Sequence, residues 1–234
     1  MKTADRALRG ILQRIADGTY PIKAELPPES DIAAELGMSR LSVREAMREL
    51  IADGVIAAKQ GRRHRIAPTI HWSVRSRELA TTVAALEGGS QRLVDELLEA
   101  RQVLEVEICR LAATRITDEQ LEQMQQQVDI MESTRDSLDE ADIAANVAAD
   151  LVFHQVIVDA ARNRFLATGM RPLADMLFAV REQTSRSAEV RTDALHHHRQ
   201  ILAALTDRDP GAAADAMAAH MDQTMGASHG LSLS

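Results

Sequence analysis

The sequence predicts a mainly α-helical protein, with an N-terminal winged helix-turn-helix domain and a C-terminal antiparallel all-helical bundle. Three observations predict it. Aromatic residues are only 2% of the 234, while Ala, Leu, Glu, Gln and Arg dominate, a composition that favours helix. A Ser-capped, arginine-faced helical pattern at 39–53 is followed by two short β-type runs around a basic turn. From residue 91 onward, apolar residues recur at helical spacing with no alternating pattern.

The elements follow in order. Leu8, Ile11, Leu12 and Ile15 are spaced for an amphipathic helix over about 3–16, closed by Gly18. Adjacent Pro27 and Pro28 make 20–28 a connector, because proline cannot sit inside a helix. Glu29, Ser30 and Asp31 open a second helix with acids at its positive end, Ile32, Ala33 and Leu36 form its buried side, and Gly37 ends it. Ser39 caps the third helix, whose apolar face is Val43, Met47, Leu50 and Ile51. Arg40, Arg44 and Arg48 form a separate basic face, and Asp53-Gly54 stops the helix. Two short helices joined by a Gly-containing turn, the second one basic, make the helix-turn-helix pattern. Residues 55–58 and 65–67 read as strands around Lys59-Gln60-Gly61-Arg62-Arg63-His64, a basic wing with Gly61 at its tip.

Residues 71–90 read as a linker with a short helix around Leu79, Val83 and Leu86, broken by Gly88-Gly89, and Trp72 as packing the first domain onto the second. Helices are then expected near 91–115, 118–135, 141–161, 164–187, 190–206 and 210–225. This gives a first domain at 1–70, a helical domain at 91–226 and a flexible tail at 227–234.

Charge is divided unevenly. Residues 1–70 hold 12 basic and 9 acidic side chains, whereas 71–234 hold 15 and 26. A basic N-terminal end on an otherwise acidic chain points to nucleic acid as a partner of that end. The lone Cys109 excludes an intrachain disulfide and fits a reducing cytoplasm. No signal peptide is evident, and no apolar stretch approaches the roughly 20 residues of a membrane span.

In the helical part, polar residues interrupt apolar stripes. Asp150 and His154 are one turn apart on a face with Ile143, Val147 and Ile157; His198 shares a face with Ile201, Leu202 and Leu205; His220 follows Ala213, Ala216 and Met217. Inward carboxylates are costly unless paired or bound to a cation. One Asp and three His from three helices suit Zn²⁺, with Ni²⁺ or another first-row metal as alternatives. A lone inward His is more often a hydrogen-bonded core residue or a helix-end partner. Arg101, on a stripe with Leu97, Leu104 and Ile108, is either an anchor for an effector carboxylate or the partner of a bundle glutamate such as Glu105.

The run Leu26-Pro27-Pro28-Glu29, Leu36-Gly37-Met38-Ser39-Arg40-Leu41-Ser42-Val43-Arg44-Glu45-Ala46-Met47, Leu50, Asp53-Gly54 and Ile56 resembles the GntR family of bacterial transcription factors. The resemblance implies DNA contacts from Arg40, Ser42 and Arg44 on the third helix and from Gly61 and its neighbours Arg62 and Arg63 in the wing; Ser39 and Arg48 complete the candidate set. Residues 99–105, 150–154, Asn163, 197–205 and 216–221 resemble the FCD effector domain of the FadR-like branch, in its shorter, six-helix form. In metal-binding members the ligands fall at Asp150, His154, His198 and His220. A glutamate usual before the third ligand is His197 here. The resemblance implies a homodimeric cytoplasmic regulator, more often a repressor, that binds double-stranded operator DNA and responds to a small organic acid. A metal-sensing regulator and a metal-dependent enzyme are the alternatives; no general base or nucleophile at readable spacing supports the enzyme.

Overall fold

In the computed structural model the chain divides into two compact units, Met1–Ser90 and Gln91–Leu233. The structure describes residues 3–58 and 63–229.

The first unit contains α1 (Thr3–Ala16), α2 (Glu29–Leu36), α3 (Arg40–Ala52), β1 (Ile56–Ala57), β2 (Arg65–Ile66) and α4 (Arg77–Glu87). Ile11, Leu12 and Ile15 of α1 are buried with Val43, Met47 and Leu50 of α3 and Ile32 of α2. Gly37 and Gly54 sit in the left-handed region, with φ 64° and 73°. At Gly54 a side chain is excluded twice over, since a Cβ would lie 2.3 Å from the His71 carbonyl oxygen.

The two wing strands pair antiparallel, Ile56 opposite Ile66 and Ala57 opposite Arg65. The connector before α2 adds a third strand-like segment that the prolines concealed. Leu26 N–H donates to the His64 carbonyl, Ile66 N–H to Ala24 and Lys23 N–H to Ile66, while Glu25 bridges Arg65. Residues 71–90, set apart as a linker by sequence, belong to this first unit, where α4 packs on α1. Trp72 is buried there, and its indole N–H donates to the Ala67 carbonyl at 3.0 Å. Its packing role is therefore internal to the first unit.

The second unit is a bundle of α5 (Gln91–Ala113), α6 (Asp118–Thr134), α7 (Glu140–Ala160), α8 (Arg164–Thr184), α9 (Ala188–Thr206) and α10 (Pro210–Ala227). Side-chain caps open five of them: Thr117 in a capping box with Gln120, then Asp139, Asn163, Ser187 and Asp209. Their core includes Ile108, Met124, Phe153, Ile157, Ile201, Leu205 and Met217. Contrary to the sequence reading, one helix, α7, is long and apolar enough to pass as a membrane span. Half of it is buried, and it carries Asp150 and His154 into the bundle, which accounts for its apolar content. Of the expected tail, Ala227 ends α10 and Ser228 is buried, while 230–234 lie outside the described residues.

Candidate nucleic-acid interface and metal centre

Helix α3 is built to present one face outward. The Ser39 hydroxyl accepts from Ser42 N–H at 3.1 Å, which fixes the first turn. Val43, Ala46, Met47 and Leu50 face the core, leaving Arg40, Leu41, Arg44 and Arg48 exposed. Among the described residues, Arg40 and Arg48 form no ion pair. The Arg44 guanidinium donates to Glu29 Oε2 at 3.0 Å, which orients it from the start of α2. Ser42 departs from the expected contact set. It lies on the inward stripe, 7% exposed, with its hydroxyl 2.9 Å from that of Ser39. The position serves the cap, and its hydroxyl is not displayed beside the arginines. Arg63 is exposed at the base of the wing; Gly61 and Arg62 lie outside the described residues.

In the bundle, Asp150 and His154 of α7, His198 of α9 and His220 of α10 come together, with one ligand atom from each lying within 4.8 Å of the others. The Nε2 atoms of His198 and His220 stand 3.4 and 3.3 Å from Nε2 of His154. Asp150 Oδ1 is 3.1 Å from His198 Nε2 and 3.8 Å from His154 Nε2. For Zn–N bonds of about 2.0–2.1 Å, the edge of a coordination tetrahedron is about 3.3–3.4 Å, so the imidazole separations fit a small divalent cation. Facing imidazole lone pairs repel, and one proton can bridge one pair but not three nitrogens. A cation among them satisfies all.

Electrostatics support the same reading. Burial drives the pKa of His198 and His220 well below the usual histidine value, with the neighbouring imidazoles and Arg181 adding to it. Both rings are therefore neutral, the form that ligates metal. The His154 ring is held from behind: its Nδ1 lies 2.6 Å from Glu105 Oε2, and Glu105 Oε1 accepts from Arg101 Nε at 2.5 Å. Burial alone would raise the Glu105 pKa, but Arg101 and His154 outweigh it and hold the carboxylate far below its ordinary range. A carboxylate on Nδ1 keeps the proton there and turns the Nε2 lone pair toward the cluster. Among the described residues no carboxylate is ion-paired with Nδ1 of His198 or His220.

Arg101 is thus engaged by Glu105, the alternative that its helical stripe left open, while its two terminal nitrogens are buried without a partner. Sequence reasoning missed a second buried cation, Arg181 of α8, which is ion-paired with Asp150 Oδ2. Its signal was present: Leu177, Val180, Arg181 and Thr184 fall at i, i+3, i+4 and i+7. Burial lowers the Arg181 pKa, yet arginine starts so far above neutrality that it stays a cation beside this carboxylate. A cavity of about 40 Å³ adjoins the cluster, lined by Asp150, Arg181, His198, His220, Asn146 and Thr224 among others. Asn146 is already satisfied by Thr134 Oγ1 and the Met131 carbonyl.

Comparison with known proteins finds a family match for each unit. Residues 3–66 match the model for bacterial regulatory proteins of the gntR family, and residues 96–223 match the FCD domain. An HTH-type transcriptional regulator of Mycobacterium tuberculosis is 32% identical over 93% of this chain and 86% of its own length. The transcriptional repressor NanR of Klebsiella aerogenes is 30% identical over 89% of this chain and 78% of its own. The galactonate operon transcriptional repressor of Escherichia coli is 27% identical, with 92% of each chain covered. Among solved structures, Lar of Listeria monocytogenes has the same fold, with a TM-score of 0.64 at 16% identity over 99% of this chain and 98% of that one.

Proposed function

Because this chain belongs to the GntR family of bacterial regulatory proteins and carries the FCD domain behind its DNA-binding unit, we propose that it is a repressor released from its operator by a small organic acid. That it is a DNA-binding transcriptional regulator, and not an enzyme, follows from the family and its relatives. The proposal adds the control. In it a cytoplasmic homodimer reads two half-sites of a double-stranded operator. Arg40, Arg44, Arg48 and the wing residues Gly61, Arg62 and Arg63 supply contacts to phosphates and base edges, and Ser39 holds the turn that presents them.

Asp150, His154, His198 and His220 would hold the metal, most simply Zn²⁺, which would take a carboxylate by expanding its coordination beyond four ligands. The carrying observation is the convergence of three imidazoles and one carboxylate, with one ligand atom from each within 4.8 Å of the others, beside a cavity that a buried arginine lines. Arg181 is placed to take the effector's carboxylate by exchange with Asp150, and Glu105 with Arg101 keeps His154 aimed. A relative named for the galactonate operon favours the sugar-acid class.

The test is a thermal-shift screen of carboxylic and sugar acids against the full chain, with and without chelator, followed by operator-binding assays. An acid that raises Tm only when metal is present and weakens operator binding is expected. Unchanged metal content and ligand shifts in the double variant Asp150→Ala, His154→Ala would overturn the site. The small cavity favours a second reading, in which the metal alone is the signal. Operator affinity that follows free Zn²⁺ with no acid present would select it.

A further inference from the structure

We infer that Leu41 reads the 5-methyl group of a thymine in the major groove, and so sets part of the operator sequence. At 65% exposure it is among the largest apolar side chains left in solvent, and it sits in the first turn of α3, between Arg40 and Arg44. At 100° per residue, Arg40, Arg44, Arg48 and Leu41 fall at about 0°, 40°, 80° and 100° around the helix, within one narrow arc. Glu45 and Glu49 lie beyond it, at about 140° and 180°. The leucine therefore shares the cationic face, at the end of the helix that penetrates deepest when such a helix docks.

The core has no use for this side chain, because Val43, Ala46, Met47 and Leu50 already fill the inward side. A leucine can form no hydrogen bond with a base edge or phosphate. Of the groups in the major groove, the thymine methyl is the one whose contact with it is favourable and specific to one base. Its neighbours fix the direction of approach: the Ser39 cap sets the first turn, and Glu29 positions Arg44 three residues on.

The experiment uses the full chain. Operators are selected from a random duplex library, and affinity is read by fluorescence anisotropy at fixed salt. Each thymine of the selected site is then replaced singly by deoxyuridine, which removes only the methyl. Wild type is expected to lose about fourfold at one thymine per half-site, the value of one buried methyl. Leu41→Ala, whose Tm should be unchanged, is expected to bind both duplexes equally and to select sites without that thymine preference. Leu41→Thr, whose γ-methyl reaches further from the helix than the alanine methyl, is expected to restore part of the discrimination. Arg40→Ala is expected to bind more weakly but to keep it. The inference is overturned if no single replacement changes wild-type affinity by more than about twofold, or if the discrimination survives in Leu41→Ala. If the chain enriches no sequence at all, operator recognition itself fails, an outcome distinct from selecting a site that is indifferent to the methyl.

Discussion

Glu105 carries two obligations at once, toward Arg101 and toward His154 Nδ1. Glu105→Gln is expected to weaken Zn²⁺ binding by about 10–100-fold, read by competition with a chromogenic chelator, because the imidazole loses the group that sets its tautomer. The same change strands a buried guanidinium, so the metal-free protein should lose about 3–5 kcal/mol in denaturant titration. His198 and His220 give a pH signature of opposite origin. Their folded pKa values lie below those of the unfolded chain, so the unfolded state takes up protons first as pH falls. Stability of the chelator-treated chain should be full above roughly pH 6.5 and decline below it, and His198→Gln with His220→Gln should flatten that decline in a Tm–pH series. The four residues that cluster here were legible as candidates because a polar residue on an apolar stripe announces itself. The Arg181–Asp150 pairing was not, since it depends on how α8 lies against α7, and a stripe of one helix carries no record of its neighbour.

Helix boundaries were largely legible, because capping is local chemistry. Thr117, Asp139, Asn163, Ser187 and Asp209 each accept from backbone N–H groups two or three residues on, and all but Asp139 stood in the sequence as polar breaks between the expected helices. The strand-like segment at 23–26 was illegible for the opposite reason: its backbone hydrogen bonds reach some 40 residues along the chain, and its flanking prolines suggest only a loop. On α3, replacing Arg40 or Arg48 by Ala is expected to reduce the dependence of log affinity on log salt by about 0.9 per protomer, about 1.8 for the homodimer, if the side chain sits on a phosphate, measured by anisotropy across a salt series. Gly54→Ala should destabilise the first unit by several kcal/mol, visible as a lowered first thermal transition, because the position is left-handed and faces the His71 carbonyl.

At the scale of the molecule, the two units have separate cores, the first around Ile11, Val43 and Leu50 and the second around Phe153, Ile201 and Met217. Residues 91–234 expressed alone are therefore expected to fold and to keep a chelator-sensitive Tm, since all four candidate ligands, Arg101 and Arg181 lie within them. The stitching of 23–26 onto 64–66 bears on the other unit. The chain entering the first recognition-motif helix is laced by its own amides to the root of the wing, so prong and hairpin cannot be adjusted independently. The root of the wing and the entry to α2 are thereby held at one spacing by main-chain bonds, which substitution of side chains leaves in place.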